Sequence, residues 1–165
     1  MIALFIGRFQ PFHLGHLHVI NAFHKTYDLI KIGIGSSQYH HTLENPFTYD
    51  EREKMISETL NNEEITNYKI IAIPDIHNPS KWVDHVGSMV DTFSVVLCNN
   101  DFTTSLFEQK GFMIKKTDLF HRDLYSGKEI RKRIQNNQEW KSLVPVTVYQ
   151  YILDINGVER IKNST

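Results

Sequence analysis

Five short apolar runs alternate with amphipathic segments along the chain, and this alternation constrains the fold more than any other feature. The runs span residues 2–6, 29–34, 68–73, 94–97 and 112–115. The segments between them have the periodicity or the capping signals of helices. Strands that alternate with helices form a parallel sheet with right-handed crossovers. The sequence therefore predicts a Rossmann-like α/β fold, with a doubly wound parallel five-stranded sheet, helices on both faces and a short helical C-terminal segment.

Apolar spacing and N-terminal caps set the predicted helices. Leu17, Ile20 and Phe23 recur at three-residue steps, as on one face of a helix. Residues 48–51 and 126–129 each have the spacing of a capping box. The predicted helices span about 14–23, 48–60, 80–90, 103–109 and 126–136, and a last helix follows Pro145.

Length, charge and cysteine usage limit the possible classes of protein. A chain of 165 residues is expected to form one domain, 1–165. The net charge of -1 gives no global attraction to nucleic acid or to an anionic membrane. No stretch approaches the roughly 20 apolar residues of a membrane span, and we read no signal peptide. The single cysteine, Cys98, excludes an intrachain disulfide and fits a reducing compartment, so we expect a cytoplasmic protein.

The loop after the first strand carries the most informative residues. Gly7 ends the strand, Arg8 begins the loop, and Pro11 cannot continue a strand. His13 and His16 are three residues apart at the start of a helix, so both can project from its first turn. A helix N-terminus offers partial positive charge and free amide donors. Together these groups predict a site for an anion such as phosphate.

The same residues allow less specific interpretations. A lone histidine in a helix is usually a surface or core residue, and His-x-x-His can be half of a metal site. No companion Glu or Cys occurs at zinc spacing, so we expect no protein-held metal. Gly15, between the two histidines, is expected to let the backbone approach a ligand closely.

The motif GRFQPFHLGH, residues 7–16, resembles the signature of the HxGH nucleotidyltransferase superfamily. More narrowly, the chain resembles archaeal-type nicotinamide-nucleotide adenylyltransferases. The further matches are Ser36-Ser37-Gln38, Asn45-Pro46-Phe47-Thr48 with Glu51-Arg52, Asp75-Ile76 with Trp82-Val83, Arg122-Asp123 with Tyr125-Ser126-Gly127 and Glu129-Ile130-Arg131, and residues 156–161.

The resemblance implies a reaction. In this family the 5'-phosphate of nicotinamide mononucleotide attacks the α-phosphate of ATP in line, and the products are NAD and pyrophosphate. Mg2+ is expected on the ATP phosphates, held by ATP oxygens and water. Relatives are often homo-oligomers, so we expect this protein to form a homo-oligomer too.

The resemblance also implies roles for individual residues. The implied catalytic residues are His13, His16 and Arg131. The implied ATP contacts are Gly7, Arg8, Phe9, His13, Gly15, His16, Tyr125, Ser126, Lys128 and Arg131. The implied mononucleotide contacts are Ser37, Asp75, Asn78 and Trp82. Simpler interpretations stay open: Ser126 as a helix cap, Arg131 as part of a solvated charge run, Trp82 as core and Asp75 as a turn cap.

The sequence departs from the family pattern at four places. It therefore defines the acceptor substrate less closely than it defines ATP. Lys128 replaces a threonine, Pro79 stands where relatives have asparagine, Glu44 replaces a phosphate-binding arginine of some relatives, and Cys98-Asn99 replaces Ser-Gly. Alternative acceptors are nicotinate mononucleotide, flavin mononucleotide and a phosphopantetheine-like phosphate. A non-catalytic nucleotide-binding regulatory module is the alternative of a different class.

Overall fold

A computed structural model describes residues 1–118 and 120–165. They form two compact units. The first unit consists of Met1–Gly7, Val19–Ser37 and the described residues of 67–119. The second unit consists of Arg8–His18, Gln38–Thr66 and Phe120–Thr165.

The first unit contains a five-stranded sheet in which every pair of neighbouring strands is parallel. The strands are β1 (Ile2–Gly7), β2 (Leu29–Gly35), β3 (Tyr68–Ile73), β4 (Val95–Cys98) and β5 (Met113–Lys116). Their spatial order is β3-β2-β1-β4-β5. The chain thus adds strands on one side of β1 and then returns to its other side. Such a reversal is the switch point at which ligands bind in open α/β sheets, beyond the carboxyl ends of the strands.

Burial along the strands explains why this sheet forms. The successive residues Ala3, Leu4 and Phe5 are all buried, so both faces of β1 are covered. The helices α3 (Pro79–Val90) and α4 (Asp101–Gln109) belong to the same unit. One hydrophobic cluster contains Leu4, Ile73, Val83, Val86, Val90, Phe93, Val96 and Phe107. The predicted parallel α/β fold is confirmed.

The second unit is helical. Its helices are α2 (Tyr49–Asn62), α5 (Gly127–Gln135), α6 (Val146–Asp154) and α7 (Gly157–Lys162), and α1 (Leu14–Phe23) begins in it. Helix α2 packs against α6, and α7 packs against α5 and α6. None of the helices described in the structure is long and apolar enough to span a membrane.

Most predicted elements are present, and the differences have local causes. Helix α4 begins at Asp101 rather than at residue 103, because Asn100 is its N-cap and accepts a hydrogen bond from the Thr103 amide at 2.9 Å. Helix α3 begins one residue early, at Pro79, since proline suits the first turn of a helix. The predicted last helix is two helices, separated at Asn156, where φ is 58°.

Candidate phosphate-binding site

The loop after β1 has an unusual backbone that two buried arginines hold in place. Phe9 is buried and has a φ of 54°, and the Gln10–Pro11 peptide bond is cis. A left-handed conformation costs a non-glycine residue about 1–2 kcal/mol. On either side of it, the Arg8 carbonyl accepts from Arg52 Nη1 at 3.0 Å and the Gln10 carbonyl accepts from Arg131 Nη1 at 2.7 Å. Hydrogen bonds from charged donors are strong enough to offset that cost.

His13 and His16 cap the N-terminus of α1 reciprocally. The His16 amide donates to Nδ1 of His13 at 3.4 Å, and the His13 amide donates to Nδ1 of His16 at 3.2 Å. This is the geometry of a capping box, with imidazoles in place of the usual hydroxyl and carboxylate. The two rings stack, with centroids 3.6 Å apart and planes 20° apart. Since both Nδ1 atoms accept hydrogen bonds, the neutral rings carry their protons on Nε2.

Both imidazoles are neutral at pH 7. Burial lowers the pKa of His13 to about 3. Burial, and then the nearby His13, hold the pKa of His16 well below its usual value. The pair therefore contains two Nε2–H groups and carries no positive charge.

Aromatic rings and a glycine surround the histidine pair. The Phe9 ring meets His16 edge-on at 4.6 Å between centroids, and Phe12 stacks on His16 at 5.5 Å. A Cβ on Gly15 would lie 3.0 Å from the His13 ring and 3.1 Å from Cβ of Tyr125. The missing side chain of Gly15 makes room for His13 and Tyr125. The expected close approach of the Gly15 backbone to a ligand stays a prediction.

Arg131 reaches back over the N-terminus of α5. A Cβ on Gly127 would lie 2.7 Å from Arg131 Nη1, so the glycine makes room for the guanidinium. Arg131 is only 7% exposed, whereas Lys132 is exposed and Arg133 pairs with Glu129 at 3.0 Å. The interpretation of Arg131 as one more solvated charge is therefore wrong.

The predicted capping box at α5 is half formed. The Ser126 side chain accepts from the Glu129 amide at 3.1 Å, as a cap does. The Ser126 amide instead donates to the Leu124 carbonyl, because the Glu129 carboxylate binds Arg133. Lys128 lies exposed in the first turn of the same helix.

Three guanidinium groups give the site its positive charge. Burial, followed by the charge of Arg8, lowers the pKa of Arg52 and that of Arg131 to about 10, so both stay cationic at pH 7. Arg8 is exposed, and its Nη1 lies 3.4 Å from Oδ1 of Asn45. Glu44 is close enough to Arg131 to act on its pKa in the opposite direction. Mutually repelling cations beside neutral N–H donors suit a polyanion.

Sequence reasoning assigned no role to Gln10, Arg52 or Arg160, although each belonged to a matched motif. Arg52 is fully buried and donates to the carbonyls of Arg8, Thr48 and Tyr39. The sequence signal for the burial of Gln10 was its position as a polar residue between the aromatic residues Phe9 and Phe12. No comparable signal marked Arg52, because its burial depends on tertiary packing.

The four predicted mononucleotide contacts belong to the first unit. The Ser37 amide donates to the Ile73 carbonyl at 3.3 Å, and Asp75 accepts from the His77 amide at 2.9 Å, as a turn cap does. Asn78 precedes α3 without a side-chain cap bond, and its Oδ1 accepts from the Ser80 hydroxyl at 2.8 Å. Trp82 meets Phe107 edge-on at 5.6 Å and packs against the hydrophobic cluster.

The described part of the chain does not bring together the side chains that usually ligate a metal ion. Within residues 1–118 and 120–165, no group of three or more His, Cys, Asp or Glu side chains could hold a metal ion. A divalent cation that is coordinated by nucleotide oxygens and water needs no such group.

Comparisons with known proteins show the family to which the chain belongs. Residues 4–148 match the family described as cytidylyltransferase-like. A nicotinamide-nucleotide adenylyltransferase of Methanococcus aeolicus is 46% identical over 162 residues, which cover 98% of this chain and 94% of that protein. One from Thermoplasma volcanium is 41% identical over 160 residues, which cover 97% of this chain and 90% of that protein.

A solved structure has the same fold. The bifunctional NMN adenylyltransferase/ADP ribose pyrophosphatase of Francisella tularensis superposes with a TM-score of 0.80 at 22% identity. The match covers 98% of this chain and 52% of that one, so the chain spans about half the length of that protein. The same Francisella protein, complexed with AMP and a manganese ion, matches with a TM-score of 0.78.

Proposed function

The chain belongs to the cytidylyltransferase-like family, and on that premise we propose that it is an enzyme that transfers the adenylyl group of ATP to nicotinamide mononucleotide. The products are NAD and pyrophosphate. Relatives that are 41–46% identical over nearly the whole chain carry the name of this activity. The structural observation that carries the proposal is the stacked, neutral pair His13–His16 on a loop that is bonded to the buried Arg131.

ATP is assigned to the second unit. The Nε2–H groups of His13 and His16 donate to the phosphates, with His16 nearest the α-phosphate. Ser126, the amides at the start of α5, Lys128 and Arg131 hold the β- and γ-phosphates, where a helix N-terminus favours negative charge. Gly7, Arg8, Phe9, Gly15 and Tyr125 complete the ATP contacts.

The chemistry requires positioning and charge stabilisation rather than an activated side chain. The phosphate monoester of the mononucleotide is already ionised at neutral pH. One of its oxygens forms a bond to the α-phosphorus of ATP, and the bond from that phosphorus to the bridging oxygen of pyrophosphate breaks. Preorganised donors such as the two imidazoles lower the barrier by meeting charge on the phosphoryl oxygens.

A divalent cation is expected on the triphosphate. The Francisella protein binds AMP together with a manganese ion, and we propose Mg2+ for this enzyme. ATP oxygens and water hold the cation, which neutralises charge on the phosphates.

Nicotinamide mononucleotide is assigned to Ser37, Asp75, Asn78 and Trp82 of the first unit. The half-buried Trp82 is the proposed platform for the nicotinamide ring. We further propose a single catalytic domain that is cytoplasmic and homo-oligomeric.

The test is to identify the product. The protein is incubated with ATP, Mg2+ and, separately, the mononucleotides of nicotinamide and nicotinate, flavin mononucleotide and phosphopantetheine. Mass spectrometry should detect NAD and pyrophosphate with the first. A product with only another acceptor would replace the acceptor assignment, and no product with any of them would overturn the enzymatic proposal. A His16→Ala control shows that any product comes from this protein.

A further inference from the structure

Gln10 ties the loop after β1 to the segment before α2 through two main-chain hydrogen bonds. Its Nε2 donates to the Phe47 carbonyl at 2.9 Å, and its Oε1 accepts from the Phe47 amide at 2.9 Å. Gln10 is 3% exposed and Phe47 is fully buried. The side-chain amide therefore fixes both the position and the rotation of this residue in the loop.

The main chain of Gln10 holds Arg131. The Gln10 carbonyl accepts from Arg131 Nη1 at 2.7 Å, and this is the one hydrogen bond of that guanidinium within the described residues. A guanidinium has five N–H donors in a fixed planar fork. The bond to a fixed carbonyl holds one N–H of the fork in place, and no described residue accepts from its other donors.

The segment around Phe47, to which the Gln10 side chain is bonded, is itself held by α7. A Cβ on Gly157 would lie 3.0 Å from Cε1 of Phe47, so the start of α7 packs directly against the Phe47 ring. Arg160 donates to the Pro46 carbonyl at 3.1 Å and binds both oxygens of Glu51 at 2.6 and 2.9 Å. The Phe47 backbone is thus a rigid support for the Gln10 side chain.

We propose that Gln10 is a positioning residue that orients Arg131 toward the outer phosphates of ATP. This inference rests on the proposed function only in taking a nucleoside triphosphate as the ligand. Gln10 itself touches no nucleotide; it acts through the carbonyl that Arg131 binds.

The test compares the binding of ATP and AMP by calorimetry, without mononucleotide. Gln10→Leu removes both bonds to Phe47, and Gln10→Glu keeps the bond from the Phe47 amide and loses the other. We expect Gln10→Leu to weaken ATP about tenfold, as for coupled neighbours, and AMP much less, since AMP lacks the outer phosphates. Gln10→Glu also places a negative charge close to the proposed phosphate site, so it should weaken ATP at least as much as Gln10→Leu, and again more than AMP.

A double variant separates positioning from general support. If Gln10 acts through Arg131, Gln10→Leu combined with Arg131→Ala should bind ATP no more weakly than Arg131→Ala alone. Thr59→Val is the matched control, because this buried hydroxyl of α2 binds the Met55 carbonyl and Thr147. It should leave both affinities unchanged.

Several results would overturn the inference. These are unchanged ATP binding in Gln10→Leu, equal losses for ATP and AMP, or losses that multiply in the double variant. Failure of both Gln10 variants to fold would make Gln10 a general structural residue and would also overturn it. Because no NAD is formed in these measurements, their outcome is independent of whether the wild-type protein makes NAD.

Discussion

At the scale of residues, His13 and His16 combine a structural role with a proposed role in phosphate binding, and the two roles use different nitrogens of each ring. Their Nδ1 atoms cap α1, so the proton of each neutral ring lies on Nε2. Protonation of either Nδ1 would break a cap bond and would place a positive charge on a ring whose centroid lies 3.6 Å from that of the other ring. Burial keeps both imidazoles in the neutral form that the proposed phosphate contacts require, and the cap bonds place the proton of each ring on Nε2.

The lowered pKa of the buried His13 predicts how the stability of the folded protein depends on pH. An unfolded histidine binds a proton below its ordinary pKa of about 6.5, whereas folded His13 does so only near 3. Between these values the unfolded state holds the extra proton, so stability is lost as the pH falls. The slope is about 1.4 kcal/mol per pH unit for one such group.

His13→Asn tests that slope, because asparagine is a good N-cap and does not titrate. Urea unfolding between pH 6 and 4 should show that the free energy of unfolding falls less steeply in the variant, by about one proton. Equal slopes would mean that His13 titrates normally in the folded protein.

At the scale of elements, the N-terminus of α2 is bonded to α7 within the second unit. Thr48 and Glu51 form the predicted capping box, with bonds of 3.1 and 2.9 Å. Burial would raise the pKa of Glu51, but the hydrogen bonds from Arg160 and from the Thr48 amide lower it overall. Glu51 therefore stays ionised and links α2 to α7.

Arg160→Met should destabilise the protein by about 2 kcal/mol, since it removes hydrogen bonds to a charged, largely buried carboxylate. Glu51→Gln removes the same ion pair and keeps a cap acceptor for Thr48. The control is Lys162→Met, whose ammonium lies 4.0 Å from the exposed Glu159 and should contribute almost nothing. Chemical denaturation measures the free energy of unfolding of all three variants. Equal losses in Arg160→Met and Lys162→Met would contradict the stabilising role of the pair of Arg160 and Glu51.

Local signals predicted the elements better than the links between them. The capping box at Thr48 and the alternation of apolar runs depend on residues that are neighbours in the sequence, so the sequence alone predicts them. The side chains of Gln10, Arg52 and Arg160 bind residues as far as 37, 44 and 114 positions away, respectively. Polar residues of that kind resemble surface residues in sequence, and only tertiary packing shows that they are buried.

At the scale of the whole molecule, the predicted site residues divide between the two units. The residues assigned to ATP belong to the second unit, except Gly7. The residues assigned to the mononucleotide belong to the first unit, and the departures at Pro79 and Cys98-Asn99 lie there too. The motifs thus predict adenylyl transfer more firmly than the acceptor. The single domain predicted from length stays a prediction.

This division predicts that the two substrates can be weakened separately. Arg131→Ala should raise KM for ATP and leave KM for nicotinamide mononucleotide nearly unchanged. Trp82→Leu, which keeps an apolar contact for Phe107, should raise KM for the mononucleotide several-fold, because aromatic stacking contributes about 0.5–1.5 kcal/mol beyond buried area. Steady-state kinetics on both variants, after circular dichroism has shown that they are folded, decides this. Equal changes for both substrates would contradict the division.

The most direct test of the central claim is turnover by His16→Ala. If His16 meets charge that develops at the α-phosphate, kcat should fall about a hundred- to a thousand-fold while ATP binds almost as tightly as before. His18→Ala is the control, since His18 lies in the same helix and stacks on Phe120 at 4.1 Å, and its kcat should stay near the wild-type value. Near-normal turnover in a folded His16→Ala protein would contradict the account.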